Sequence, residues 1–336
     1  MPNTDVTSDW TAAFIVGAPR SGTTLLASIL ARHSRIAVPP ETHFLRTYAR
    51  RLWNLYSLLK SKNRHETLTD FLLTNVRILD LALTKEDILR EFSQYPANYS
   101  FLFRAILQAF GLKNGKTIVI EKTPHHLEYV DTLVKWYPQV RIIHLVRDGR
   151  DVSMSLMQVP WTHNNIERHA AYWAWCMRVA KRYEQQYPNN FLSIHFEALI
   201  SEPENTVRRI CDFIGVAYEE IMLDASVQVD TMPEWEKQWK QNSLLNPISG
   251  KLAQWKLQDK SLVAHIQTLM ANELVSYGYP LAEEIPQNAI TMQQMRKRLL
   301  WHSSFFSIWY ALVKVRRLFA KNYLGYRKQQ LKNAGN

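Results

Sequence analysis

Residues 14–26 read FIVGAPRSGTTLL, and this stretch constrains the fold more tightly than any other in the chain. The apolar run 12–16 reads as a buried strand, Gly17 to Gly22 as a tight loop, and Thr24 onward as a helix. A strand, a Gly-bounded loop and a helix N-terminus form an anion cradle. Loop N–H groups and the positive end of the helix dipole converge on one point. Gly17 and Gly22 have the G-x-x-x-x-G spacing of nucleotide phosphate loops. Such loops continue with Lys, which reaches the β- and γ-phosphates, then with Ser or Thr for Mg²⁺. Here Thr23 and Thr24 follow, and the cation sits inside the loop as Arg20. The site suits an anion and fits Mg²⁺–ATP poorly.

Three further apolar runs, 117–121, 141–146 and 191–196, read as strands separated by helix-like segments. Strands alternating with helices predict the α/β class, with a central parallel sheet covered on both faces. Ligands of such sheets gather at the carboxyl ends of the strands. At 336 residues, a single domain over 12–285 accommodates this pattern, between a flexible 1–11 and a basic tail over 286–336. The segment 42–111 has no clear strand. Leu52, Leu55, Leu58 and Leu59 sit at helical spacing, and Phe101, Ala105 and Phe110 do so more loosely. Helices inserted over the sheet are expected there, mostly for packing, with a lid or acceptor wall as the functional reading. The second half, 161–278, reads as mostly helical around an irregular loop near 232–250, and Trp173 and Trp175 are assigned to the core.

An apolar content of 46% supports a large core. Cys176 and Cys211 lie in apolar, helix-like contexts, which predicts buried free thiols in a reducing compartment. The eleven histidines show no zinc-ligand spacing. The net charge of +11 is unevenly placed. Residues 291–336 hold ten of the 41 Lys and Arg and none of the 30 Asp and Glu, so the body carries 31 basic against 30 acidic side chains. A near-neutral body without a basic-aromatic stripe argues against a nucleic-acid groove. The polar first ten residues lack an apolar core, so no secretory signal or N-terminal anchor is expected, and a cytoplasmic location follows.

The second anion signal is RIIHLVRDGRDVSMSL, residues 141–156. Arg147 ends a strand and Ser155 follows eight residues later on a helical stretch. A guanidinium fork and a neutral hydroxyl donor can converge on a phosphate. Alone, RDGRD also reads as a solvated turn.

PRSGTT and this second element, in that order, resemble the 5′-phosphosulfate loop and 3′-phosphate element of sulfotransferases that use 3′-phosphoadenosine 5′-phosphosulfate (PAPS). The motifs are most similar to the tyrosylprotein, Golgi-type and bacterial members. The resemblance spans roughly residues 12–279, outside 42–111 and the tail. It implies a P-loop-like fold and sulfuryl transfer from PAPS to an acceptor hydroxyl or amine. Adenosine 3′,5′-bisphosphate would be the product, with no metal. It places Arg20, Ser21, Gly22, Thr23 and Thr24 at the 5′-phosphosulfate and Arg147 and Ser155 at the 3′-phosphate.

Glu41 lies in VPPETHF, where two prolines keep the chain stiff and extended. The spacing can return its carboxylate to the mouth of the anion loop, where a general base would stand. The alternative is a helix-capping acid before His43 and Phe44. In the resembling family a catalytic glutamate occupies this place. Lys122 ends the strand TIVIEK, with Thr123 and Pro124 expected as N-cap and first residue of a helix. The resemblance makes Lys122 a cation near the bridging oxygen and His125 a reserve base. Some relatives have Tyr in place of Phe196. NPISGKLAQWK resembles the late loop over the nucleotide, which implies Lys251 as a further 3′-phosphate contact and Trp255 as packing.

In the tail, Arg296, Lys297 and Arg298 precede an uncharged run over 299–313. Fifteen residues fall short of the ~20 needed to span a bilayer. At helical spacing Phe305, Ile308, Trp309, Leu312, Val315 and Phe319 share a face, with Lys314, Arg317 and Lys321 opposite and Arg316 intruding. That pattern describes an interfacial helix on an anionic membrane surface, or a helix packed on the domain. Two other functions fit the phosphate loop. One is a P-loop kinase or NTPase, with Asp148 as its sole Mg²⁺ candidate. The other is a non-catalytic, membrane-associated nucleotide-binding protein. The acceptor is not encoded: sugar, lipid, peptide and small molecule all remain open.

Overall fold

The computed structural model describes residues 12–48, 63–159, 162, 164–233 and 252–282. Five strands form one parallel sheet in the order β2-β3-β1-β4-β5. They are β1 (Ala13–Gly17), β2 (Ile36–Ala37), β3 (Ile118–Lys122), β4 (Arg141–Val146) and β5 (Phe191–His195). The four expected strands are present within a residue of their boundaries. β2 is only two residues long and carries no periodicity to read. β1 lies centrally, with Ala13 opposite both Ile120 of β3 and Arg141 of β4. Strand order therefore reverses beside β1, and the carboxyl ends of β1, β3 and β4 open on one crevice.

The thirteen described helices run α1 (Thr23–Ala31), α2 (Phe44–Tyr48), α3 (Arg64–Leu73), α4 (Val76–Leu79), α5 (Lys85–Phe92), α6 (Tyr99–Lys113), α7 (Val130–Trp136), α8 (Gly149–Met157), α9 (Ile166–Gln186), α10 (Phe196–Ser201), α11 (Pro203–Ile214), α12 (Lys260–Thr268) and α13 (Ala271–Ser276). Alternate residues of β1 feed two cores. Phe14 and Val16 pack with residues of α6, α7, α8 and α9, and Ala13 and Ile15 with residues of α1 and α11. A sheet apolar on both faces requires this double cover.

The expected insertion is helical wherever it is described, α2 to α6. Its anchor is Phe44, whose ring stacks on Phe103 of α6 with centroids 4.2 Å apart. Thr84 and Asp87 form a reciprocal capping box at the start of α5. Leu52, Leu55, Leu58 and Leu59 lie outside the described residues. Trp173 is fully buried, as expected. Trp175 is instead 38% exposed and stacks on Tyr172, centroids 5.8 Å apart. Two helical positions turn a side chain by about 200°, so α9 cannot bury both tryptophans on one face. Cys176 and Cys211 are buried free thiols, and burial pushes the Cys211 thiol up to about 11.

Candidate active site

The loop after β1 is held open by glycine at both ends. A Cβ on Gly17 would lie 2.6 Å from the Leu145 carbonyl oxygen of β4. Gly22 has φ +93° at the N-cap of α1, and a Cβ there would meet the Phe196 ring at 2.3 Å. Between them Arg20 is left-handed, φ +73°, an uncommon conformation for a side-chain-bearing residue. α1 starts at Thr23 with no side-chain cap and no acid in its first turn. Its first N–H groups therefore await an acceptor from elsewhere. The Ser21 hydroxyl is buried without a hydrogen-bond partner. An uncapped helix start, an orphaned hydroxyl and a nearby guanidinium fit a bound anion.

The second element meets the first directly. The Nε of Arg20 donates to Ser155 Oγ at 3.1 Å, across 135 residues of sequence. Arg147 follows β4, stands over the Phe196 ring at 4.7 Å and approaches Asp151 of α8 at 3.5 Å. Its Nη1 lies 3.5 Å from the Arg20 carbonyl oxygen. Burial, then the Arg147 charge, hold the Arg20 guanidinium below its ordinary pKa, with Glu41 opposing. Two adjacent guanidiniums at strand ends gather positive potential for a multiply charged anion.

Asp148 is engaged elsewhere. It caps α8 by accepting from the Arg150 N–H, and both its oxygens grip the Arg150 guanidinium at 3.0 and 2.7 Å. Arg150 is fully buried, bonded also to Gln267, with its guanidinium 3.5 Å from the centroid of Trp255. A carboxylate so committed makes a poor Mg²⁺ ligand. With Thr23 where a nucleotide loop needs Lys, the kinase or NTPase reading loses both its cations. Trp255 packs as expected, and its N–H donates to Asp151. This holds the segment around Trp255 against α8. Lys251 lies outside the described residues.

The Glu41–Lys122 side is built on a buried carboxylate that sequence reasoning missed. Glu121 of β3 is fully buried. It accepts from the Thr42 N–H and hydroxyl, from the Thr123 hydroxyl and from His126 Nδ1, at 2.6–3.2 Å. Burial opposes its charge, but His126 and the threonine donors outweigh it and hold the carboxyl below its usual range. Thr123 is therefore not the side-chain N-cap expected. Its hydroxyl turns to Glu121, and a 3₁₀ turn, Pro124–Tyr129, follows instead of an α-helix. The hub ties the segment carrying Glu41 to the strand end carrying Lys122. The Lys122 ammonium meets Glu41 Oε1 at 2.6 Å, and its side chain is fully buried.

His43 Nε2 lies 3.2 Å from Glu41 Oε2. His125 sits nearby, its ring 6.0 Å from that of His43, and its Nδ1 bonds the Tyr172 hydroxyl at 2.9 Å. Burial pushes His43 below the ordinary histidine value, against the pull of Glu41. The structure thus brings Arg20 to Ser155 and Arg147, and Glu41 to Lys122, at one crevice. The PETHF string held a signal for His43, a titratable side chain two residues from Glu41. Glu121 carried none, because an acid inside an apolar strand reads as an edge position.

Among the described residues no three His, Cys, Asp or Glu side chains converge as a metal site would require, and no helix is long and apolar enough to cross a membrane. The model of the Sulfotransferase family matches residues 12–220, more than half the chain. The chain belongs to the sulfotransferase family. A putative protein-tyrosine sulfotransferase of Caenorhabditis briggsae is 24% identical over 217 residues, 62% of this chain and 67% of that protein. Protein-tyrosine sulfotransferase 1 of Danio rerio is 25% identical over 224 residues, 64% of this chain and 56% of that protein. An uncharacterized Aquifex aeolicus protein is 22% identical over 228 residues, 26% of its length. This sulfotransferase thus spans between about a quarter and two thirds of these relatives. Among solved structures, the sulfotransferase domain of the Synechococcus PCC 7002 olefin synthase superposes with TM-score 0.56 at 22% identity. That match covers 82% of this chain and 98% of the domain. The sulfotransferase domain from the curacin biosynthetic pathway gives 0.51 at 18% identity. These sulfotransferase domains share the parallel sheet and its flanking helices.

Proposed function

We propose that this enzyme transfers a sulfuryl group from PAPS to an acceptor hydroxyl or amine by in-line displacement. One observation carries the reading: Arg20, Arg147 and Ser155 meet beside an uncapped helix N-terminus, in the same crevice as a paired Glu41 and Lys122. Arg20 and the amides from Ser21 to Thr24 hold the 5′-phosphosulfate. Arg147 and Ser155 hold the 3′-phosphate, with Lys251 as a further contact. Glu41 takes the acceptor proton as the acceptor oxygen bonds to sulfur. The sulfur–oxygen bond to the phosphate breaks, and Lys122 and Arg20 neutralise the charge that grows on the leaving oxygen. Protein cations do this work without a metal. His125 is the reserve base. It lies on the acceptor side, but its Nδ1 is already bonded to Tyr172.

Calorimetry with adenosine 3′,5′-bisphosphate and AMP tests the donor. The bisphosphate should bind more tightly by ~1.5–3 kcal/mol, the scale of charge-assisted hydrogen bonds. Arg147→Ala should erase most of that difference. Equal affinity for the two nucleotides would sink the assignment.

The basic tail, residues 291–336, docks this cytoplasmic enzyme on an anionic membrane surface in the same reading. Its support is the charge count: ten basic residues, no acid, and an apolar face with Trp309 and Phe305. Each basic residue near such a surface adds ~1 kcal/mol. The full chain should cosediment with anionic but not neutral vesicles at low salt, and a chain ending at Gln287 should not. Equal binding by the truncated chain would end this part of the reading.

A further inference from the structure

Glu41 is held from two sides in unlike ways. Lys122 supplies a charge at Oε1, 2.6 Å away, and His43 supplies an imidazole nitrogen at Oε2, 3.2 Å away. His43 itself is held in an unusual backbone state. Its φ is +48°, left-handed for a residue with a bulky side chain. Such outliers persist only where the surroundings over-determine them, and they cluster at functional sites. Here the surroundings are visible. The His43 N–H donates to Thr123 Oγ1 at 3.3 Å, and the preceding Thr42 is bonded twice to Glu121. Two threonines and a buried carboxylate hold a backbone twist that presents one imidazole to one carboxylate.

The chemistry explains why an imidazole suits that place. A second cation beside Glu41 would stabilise its carboxylate further and make it a weaker base. His43 is kept neutral by burial, with Arg77 and His125 adding to that effect. It therefore directs the carboxylate through an N–H donor without adding a charge. Lys122 has a second duty on the leaving oxygen, whereas His43 has none on the donor side.

We infer that His43 is the positioning residue for Glu41, the fixed anchor that keeps the base aimed at the acceptor while Lys122 turns to the leaving phosphate. This rests on the proposed role of Glu41 as base. The proton still passes from the acceptor to Glu41; His43 transfers none. It sets where the accepting oxygen stands.

The test compares His43→Ala, His43→Gln, Glu41→Gln and the double variant His43→Ala/Glu41→Gln. The assay follows transfer from radiolabelled PAPS into a cell extract, with thermal melts and bisphosphate calorimetry on the same samples. His43→Ala should lower kcat roughly 10²-fold, the scale of a misplaced catalytic group, with bisphosphate affinity unchanged. Gln places an amide N–H where Nε2 stands, so His43→Gln should recover most of the loss. The double variant should be no slower than Glu41→Gln alone, because an anchor with no base to aim has nothing to lose. Normal kcat in His43→Ala, or equal kcat in the Ala and Gln variants, overturns the role of His43 while Glu41 remains the base. Normal turnover in Glu41→Gln overturns both.

Discussion

Replacing Glu121 by Gln changes one atom and should loosen the segments that carry both Glu41 and Lys122. Oε1 of Glu121 accepts from the Thr42 N–H, the Thr42 hydroxyl and the Thr123 hydroxyl, and a glutamine carbonyl can keep those three. The conflict is at Oε2. His126 Nε2 accepts from the Leu45 N–H at 3.3 Å, so Nδ1 carries the proton and donates to Glu121 at 2.9 Å. A glutamine amide facing Nδ1 sets donor against donor. Moving the imidazole proton to Nε2 only transfers the conflict to Leu45. One buried donor is therefore stranded in either tautomer, and a charge-assisted bond is lost. Leaving a buried donor unsatisfied costs ~1–3 kcal/mol, and the lost charge places this case toward the upper end, ~2–3 kcal/mol. For a domain of this size, at about 2–4 °C per kcal/mol, melting should fall by roughly 5–10 °C. Turnover should fall with it, because Thr42 and Thr123 flank Glu41 and Lys122, while bisphosphate affinity should hold. Thermal melts by circular dichroism and calorimetry on the same sample decide it. A Glu121→Gln protein that melts with the parent would refute the ionised hub and the tautomer argument together.

Gly22→Ala should cost ~2–5 kcal/mol, summing ~1–2 for a left-handed Ala and ~1–3 for overpacking against Phe196; parent-like stability in urea unfolding would show that the loop yields freely. Burial, then the like charge of His195, hold His144 down to about 3, against ~6.5 unfolded. The unfolded chain then binds the extra proton between those values. This contribution is complete above pH ~6.5 and declines by up to ~1.4 kcal/mol per pH unit as pH falls toward 3. Melting curves from pH 7 to 4.5 should be flatter for His144→Leu than for the parent, and parallel curves would place the titration elsewhere. Glu41→Gln should reduce turnover roughly 10²–10⁴-fold with nucleotide affinity preserved; near-normal turnover would move the base to His125.

The parts legible in the sequence share a cause. β1, β3 and β4 are largely apolar runs ended or followed by Gly or charge, and they are buried along nearly all of their length, whereas β5, FLSIH, alternates and is only part-buried. The Arg20 loop and the Arg147–Ser155 spacing announce local geometry, a turn and a helix start, that hydrogen bonds within a few residues enforce. What was hidden depends on partners distant in sequence. The Arg20 bond to Ser155 spans 135 residues, and Thr42 reaches Glu121 across 79. Thr123 illustrates the failure best. Local rules favour an N-cap before Pro124, but a buried carboxylate two residues earlier competes for the same hydroxyl and wins, because an unpaired buried charge costs more than an uncapped turn. Trp175 was misplaced for a simpler reason: composition marks a tryptophan as core, and only the phase of α9 turns it outward.

The same competition explains how donor binding and base strength can be linked on the proposed chemistry. Lys122 lies against Glu41, and Glu41 also offsets the charge of Arg20. A cation beside a carboxylate favours its charged form and so weakens it as a base. An incoming phosphosulfate brings its own negative charge to Arg20 and Lys122. Each interaction it makes with them is one they make less strongly with Glu41, so the carboxylate becomes more basic as the donor seats. On the proposed roles, the base is then strongest when a sulfuryl group is present to transfer. The linkage needs no moving lid. It requires only that the cations of the cradle and the carboxylate of the acceptor side share one crevice, which the reversal of strand order beside β1 provides.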